Sequence, residues 1–182
     1  MARKESITKQ MIIDGAFDML RESGYESVTA RKLASHIGCS TQPIFRVYEN
    51  MDELLRELFE RTRTEYEEFC LNGGNDFDTP FVSLGMNYIQ FARKEQNMFR
   101  LLFLSGNKEH TLYELINGNE NAFVMKEIKK MKKPNMDKVE DIFTKVFIFM
   151  HGMACMTITG ELELTDEDAC GMLEDAIKGF IG

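Results

Sequence analysis

Tryptophan is absent from these 182 residues, histidine occurs three times and cysteine four times. Each scarcity removes a class of function. His36, His110 and His151 are scattered, and Cys39, Cys70, Cys155 and Cys170 stand far apart with no C-x-x-C pair, so neither a metal site nor a disulfide framework is expected. Long apolar runs are missing too. The most apolar run, Val146 to Met150, is bounded by Lys145 and His151, far short of the roughly 20 residues that a bilayer crossing needs. Met1-Ala2-Arg3-Lys4 leads into an amphipathic helix with Glu5 and Asp14, not into an apolar signal segment, so the expected location is cytoplasmic, with no membrane partner. Finally, no Walker loop, G-x-G-x-x-G, G-x-S-x-G or H-E-x-x-H occurs. Carboxylates gathered at Glu65, Glu67 and Glu68, or at Asp166, Glu167 and Asp168, read as solvated helix faces, so no catalytic residue and no cofactor is expected.

What is present is an ordinary globular composition, 43% hydrophobic and 29% charged, with an uneven distribution of charge. The net charge is −8. Residues 1–48 nevertheless carry seven Lys/Arg against five Asp/Glu, a net +2, while 49–182 carry fifteen against twenty-five, a net −10. A basic head on an acidic body suits a molecule that lays one end against phosphates.

That head contains a recognisable layout. Thr29 is placed to N-cap a short helix in which Ala30, Leu33, Ala34 and Ile37 follow at i, i+3, i+4 and i+7. Gly38 stops it, because glycine adopts the left-handed conformation of a helix end at little cost. Ser40 is placed to cap the next helix. There Ile44, Val47 and Tyr48 share the inward face, while Thr41, Gln42, Phe45 and Arg46 point outward. Two short helices around a glycine turn, the second with an outward polar face, form a helix-turn-helix whose Thr, Gln and Arg are hydrogen-bonding types a DNA major groove can use.

Across residues 7–59 the chain resembles the tetracycline-repressor-like (TetR) family of bacterial transcription regulators. The resemblance rests on Ile13, Ala16, Phe17 and Leu20 in the opening helix, the Gly24-Tyr25 pair, Val28-Thr29, Ile37-Gly38-Cys39-Ser40 and Ile44-Phe45-Arg46-Val47-Tyr48. It implies an all-α fold, with a three-helix helix-turn-helix DNA-binding domain over 1–51 and a helical effector-binding and dimerisation domain over 52–182. It also implies double-stranded DNA as partner, met by Thr29, Arg31, Ser40, Thr41, Gln42, Pro43, Phe45 and Arg46. Two residues depart from the pattern. Phe45 stands where the family usually has a phosphate-binding tyrosine, so its contact is a thymine methyl or a sugar; Met51 stands where a lysine often opens the fourth helix. The cap there is kept by Asn50 with Glu53 three residues on.

Further helices are expected over 52–70, 80–94, 97–104, 110–116, 119–132 and 137–159, and after Thr165, which caps the last one with Asp168 at its third position. In the helix over 137–159, Val139, Ile142, Phe143 and Val146 form a stripe that continues through Phe149, Met150 and Met153, with Phe147 and Ile148 off it. A helix apolar most of the way round has two surfaces to bury. From the resemblance the last two helices are expected to form a homodimer, with Gly152, Ala154, Met172, Ala176, Ile177 and Phe180 at the interface. Thirteen Met and fourteen Phe give a soft interior. Met86, Phe99, Phe103, Tyr113, Phe143, Phe147 and Met150 are the candidate wall of a pocket for an apolar or aromatic small-molecule effector. Lys126, Lys129, Lys130 and Lys133 share one face, read as solvated. The function that follows is a ligand-responsive repressor on a palindromic operator; the competing readings are a helical ligand carrier or an enzyme with an incidental helix-turn-helix, and a structural helical adaptor.

Overall fold

The computed structural model describes residues 7–72, 80–106 and 136–181. The expected helices over 110–116 and 119–132, the lysine face at 126–133 and Tyr113 lie outside them. Every element among the described residues is helical: α1 Lys9–Ser23, a 3₁₀ turn Tyr25–Ser27, α2 Ala30–His36, α3 Ile44–Val47, α4 Met51–Asn72, α5 Pro80–Lys94, α6 Gln96–Phe99, a π turn Arg100–Leu104, α7 Met136–Thr159 and α8 Asp166–Ile181. They fall into two compact units. Among the described residues the first holds 7–67 and 97–105, the second 68–72, 80–96, 106 and 136–181.

In the first unit α1 begins at Lys9, because Thr8 caps it by accepting from the Met11 amide at 3.2 Å. Ile12, Ala16 and Leu20 are wholly buried. Gly24 ends the helix at φ 81° and returns its amide to the Leu20 carbonyl at 2.9 Å. The first half of α4 buries Leu54, Leu58 and Phe59. Charges bind α1 to α4: Arg61 meets Asp14 at 2.5 Å while lying over the Phe17 ring, and Lys9 meets Glu57 at 2.7 Å. The Arg61 hydrogen bond holds the Asp14 carboxyl below its usual range. Asn97 of α6 donates to the Arg21 carbonyl at 2.9 Å. The helix expected over 97–104 is not a uniform α-helix. It widens into the π turn, in which Leu101 and Leu102 are buried and Phe103 meets both Phe99 and, edge-on, Tyr66.

The second unit centres on α5, α7 and α8. α5 buries Val82, Met86, Tyr88, Ile89, Phe91 and Ala92; α7 buries Phe143, Val146, Met150, Met153 and Ala154; α8 buries Ala169, Leu173 and Ile177. Close approach of α5 to α8 needs Gly85, where a Cβ would come within 2.8 Å of the Leu173 methyl. Phe147, expected off the apolar stripe of α7, is buried as well: it packs edge-on against Tyr88 of α5. The inward surface of α7 is therefore wider than a single stripe. By length and composition, the 19 residues Asp141–Thr159, at a mean hydropathy of 1.5, are apolar enough to cross a bilayer. The contiguous apolar run stops at His151, but residues 152–159 beyond it carry no charge and extend the apolar stretch. α5 and α8 both pack on this helix. Arg93 fastens the connection to α8 by reaching Asp166 at 2.5 Å and the Leu164 carbonyl at 2.8 Å.

Candidate nucleic-acid interface

The candidate DNA-facing residues are set by how α2 and α3 are held against α1. The Thr29 hydroxyl accepts from the Lys32 amide at 3.4 Å, which starts α2. Leu33 and Ala34 are buried, whereas Arg31 on the same helix is exposed. α1 passes close to this element at Gly15, where any Cβ would collide with the Ile37 side chain. Gly38, at φ 71°, then makes the turn that a side chain would strain.

α3 departs from the expected cap. Ser40 makes no capping bond; the position before the helix belongs to Pro43, at φ −58°, with no side-chain bond. Backbone bonds do the work instead. The Thr41 carbonyl accepts from Ile44 at 3.1 Å and Phe45 at 3.3 Å, and the Gln42 carbonyl accepts from Arg46 at 3.1 Å. Proline fits there because its missing N–H would have had no intrahelical partner. Ile44 is 0% exposed and Tyr48 1%, so the inward face is fixed. Val47 lies half-buried between. Ser40, Thr41, Gln42, Phe45 and Arg46 consequently face outward together, with Pro43 half-buried beside them. Phe45 is 49% exposed, a large phenyl ring held in solvent on an otherwise polar face.

Under this face the Tyr48 hydroxyl is buried without a hydrogen-bond partner among the described residues. Burial first, and then the Glu57 carboxylate, push its phenol far above the ordinary value, so it stays protonated. Lys9 stands over its ring at 5.4 Å. The step into α4 is capped as expected and slightly extended: the Asn50 side chain accepts from the Glu53 amide at 2.9 Å, and the Glu53 carboxylate accepts from the Glu49 amide at 2.6 Å.

The other candidate residues lie in both units. Phe99 and Phe103 belong to the first, the one fully buried and the other half-buried. Met86, Phe143, Phe147 and Met150 belong to the second and are all buried. Of the residues expected at a dimer interface, Ala154 is 0% exposed and Ile177 5%, so both are occupied by the interior of their own unit. Gly152, Ala176 and Phe180 are half-buried and Met172 is exposed. Exposed Ile148 and Met156 flank Gly152 at i−4 and i+4 on α7.

One constellation escaped the sequence reading. Tyr88 Oη lies 2.8 Å from His151 Nδ1, and His151 Nε2 lies 3.5 Å from Cys155 Sγ. His151 and Cys155 are one helical turn apart, a spacing legible in the sequence, but Tyr88 comes from α5, 63 residues upstream of the histidine. Asn87, also buried, was missed for a similar reason: it donates to the Cys70 carbonyl at 3.2 Å.

Comparison with known proteins agrees with this geometry. Residues 12–58 match the model of bacterial regulatory proteins of the tetR family. A TetR-like transcriptional regulator from Rhodococcus sp. RHA1 superposes with a TM-score of 0.64 at 16% identity, covering 99% of each chain. A TetR family protein from Vibrio parahaemolyticus gives 0.60 at 18% identity, covering 93% of this chain and 96% of its own. Another TetR-family structure, from Rhodococcus sp., gives 0.58 at 13% identity, covering 95% of this chain and 98% of its own. At such identities the likeness is one of fold. No curated protein matches the chain. The helix-turn-helix segment, residues 12–58, is thus matched by the model of bacterial regulatory proteins of the tetR family, and the all-helical fold is shared with solved TetR-like structures along the length of the chain.

Proposed function

We propose that this regulator is a cytoplasmic repressor that binds a palindromic operator as a homodimer and is released by a small apolar or aromatic effector. The observation that carries the reading is the outward set Thr41, Gln42, Phe45 and Arg46, rigidly backed by buried Ile44 and Tyr48. Gln42 is the residue for a base edge, Thr41 for a base or phosphate, and Arg46 for guanine or phosphate. Thr29, Arg31, Ser40 and Pro43 flank them. The basic balance of residues 1–48 favours this end of an acidic chain on DNA.

Two copies related by a twofold axis would set their α3 helices in successive major grooves, about 34 Å apart. In the proposed dimer the second copy covers Ile148, Gly152 and Met156 of α7 with Met172, Ala176 and Phe180 of α8. Met86, Phe143, Phe147 and Met150 supply the apolar wall for the effector. Its binding acts on DNA affinity only through a difference in its own affinity for the two states.

Selection of bound fragments from genomic DNA tests the whole reading. The fragments should share an inverted repeat with half-sites about one helical turn apart. Recovery with no enrichment over random duplex would sink it.

A further inference from the structure

Beyond DNA recognition, and independently of it, we propose that Cys155 is a covalent modification site whose ligands are uncharged electrophiles with a conjugated carbonyl, His151 serving as proton acceptor and Tyr88 as the group that orients it. The series runs from Cys155 Sγ to His151 Nε2 at 3.5 Å and from His151 Nδ1 to Tyr88 Oη at 2.8 Å. A thiol next to a base that is itself held by a third group is the arrangement that makes a sulfur nucleophilic. Tyr88 is 1% exposed, so its oxygen is a fixed anchor, while His151 and Cys155 are only partly covered. Burial holds His151 below its ordinary value and pushes the Tyr88 phenol well up, which keeps the imidazole neutral and the phenol protonated.

The surroundings select the electrophile. Phe147 lies stacked on the His151 ring, 19° from parallel with centroids 5.6 Å apart. A flat, conjugated, uncharged molecule matches the half-covered His151 ring, which buried Phe147 backs. A metal ion fits less well, since no group of three His, Cys, Asp or Glu is placed to hold one among the described residues. In the reaction Nδ1–H donates to the Tyr88 oxygen and leaves Nε2 with the lone pair; the thiol proton passes from Sγ to Nε2 and the sulfur lone pair forms a C–S bond to the β-carbon of the electrophile. The C=C π pair moves into the carbonyl as an enolate, and the proton returns at the α-carbon. Nothing is oxidised and no group leaves.

The other half-covered thiols are differently placed. Cys39 donates to the Ser40 carbonyl at 3.0 Å, and Cys170 to the Glu174 carboxylate at 3.8 Å. A sulfur anion at either place would face oxygen, whereas at Cys155 it faces an imidazole. The chain thus carries its own reference thiols.

N-ethylmaleimide is the probe, with the adduct at each cysteine timed by peptide mass spectrometry at the lowest workable protein concentration, because Cys155 lies beside the face proposed for the second copy. Cys155 should react about tenfold or more faster than Cys39 and Cys170. His151→Gln should slow it to their rate, and Tyr88→Phe should slow it in part. General loosening of the second unit would instead speed Cys155 and Cys170 together. The proposal fails if wild-type Cys155 is no faster than Cys39 and Cys170, or if a folded His151→Gln variant reacts at the wild-type rate. Should His151→Gln not fold, the wild-type ordering and Tyr88→Phe decide.

Discussion

A phenylalanine ring left half in solvent at position 45, between Gln42 and Arg46, is the residue-scale feature that most needs a partner. Gln42→Ala should cost about 1–3 kcal/mol on the true operator and little on random duplex, so titration of both DNAs by one variant measures the loss of preference. An unchanged ratio of the two affinities would place the reading face elsewhere. A second prediction belongs to His151. Burial lowers its pKa from 6.5, so the unfolded chain takes up a proton at a higher pH than the folded one. The stability this contributes is complete above that value and is lost as pH falls through it. Thermal melts at about pH 7.5 and about pH 5.5 should therefore show a larger drop for wild type than for His151→Gln. Equal drops would show that the imidazole titrates alike in both states. The outward face of α3 was legible in the sequence because period 3.6 sorts Ile44 and Tyr48 from Gln42 and Phe45. The tyrosine beside His151 was not, because no local pattern brings residue 88 to residue 151.

At the scale of elements the capping residues were mostly readable, since a cap is a contact over three residues. Thr165 and Asp168 show it in full: the Thr165 hydroxyl accepts from the Asp168 amide at 3.1 Å and donates to its carboxylate at 2.7 Å, and the Thr165 amide donates to that carboxylate at 3.3 Å. These bonds hold the Asp168 carboxyl below its usual range. Thr165→Ala should cost about 1 kcal/mol by urea melting. Ser40→Ala should change stability by less than about 0.5 kcal/mol, since Ser40 caps nothing. A large loss from Ser40 would mean that its hydroxyl supports α3 after all. The failed Ser40 expectation has a physical cause, in that Pro43 three residues on brings no amide for it to receive. The π turn after Phe99 had no signal in the apolar spacing, because Met98, Phe99, Leu101 and Leu102 recur at one, three and four residues, as on the buried face of an ordinary α-helix.

For the whole molecule, the apolar residues that remain outward decide how the proposed dimer is tested. Ile148 is 66% exposed and Met172 40%. Ile148→Glu or Met172→Glu should give monomers by sedimentation, with melting temperature nearly unchanged when extrapolated to low concentration and with weak operator binding. Ala154→Glu and Ile177→Glu should instead unfold the second unit, because each would bury an unpaired charge. A wild type that sediments as a monomer yet binds an inverted repeat tightly would end the dimer reading. The division of the fold was only partly legible, because composition changes little between residue 67 and residue 97, where the chain leaves the first unit and returns to it.

The hydropathy of α7 also has a meaning on the ribosome. Translation completes α1 to α3 first, and their contacts are short in sequence, so this part can fold while the rest is still being made. α7 emerges later as a stretch with the composition of a membrane anchor, and one of its two covering helices, α8, follows it in the chain. A chain that stops before Thr165 would never receive that cover. Premature termination there should yield a product that aggregates or is degraded, which makes completion of this sixteen-residue helix a quality checkpoint of biosynthesis.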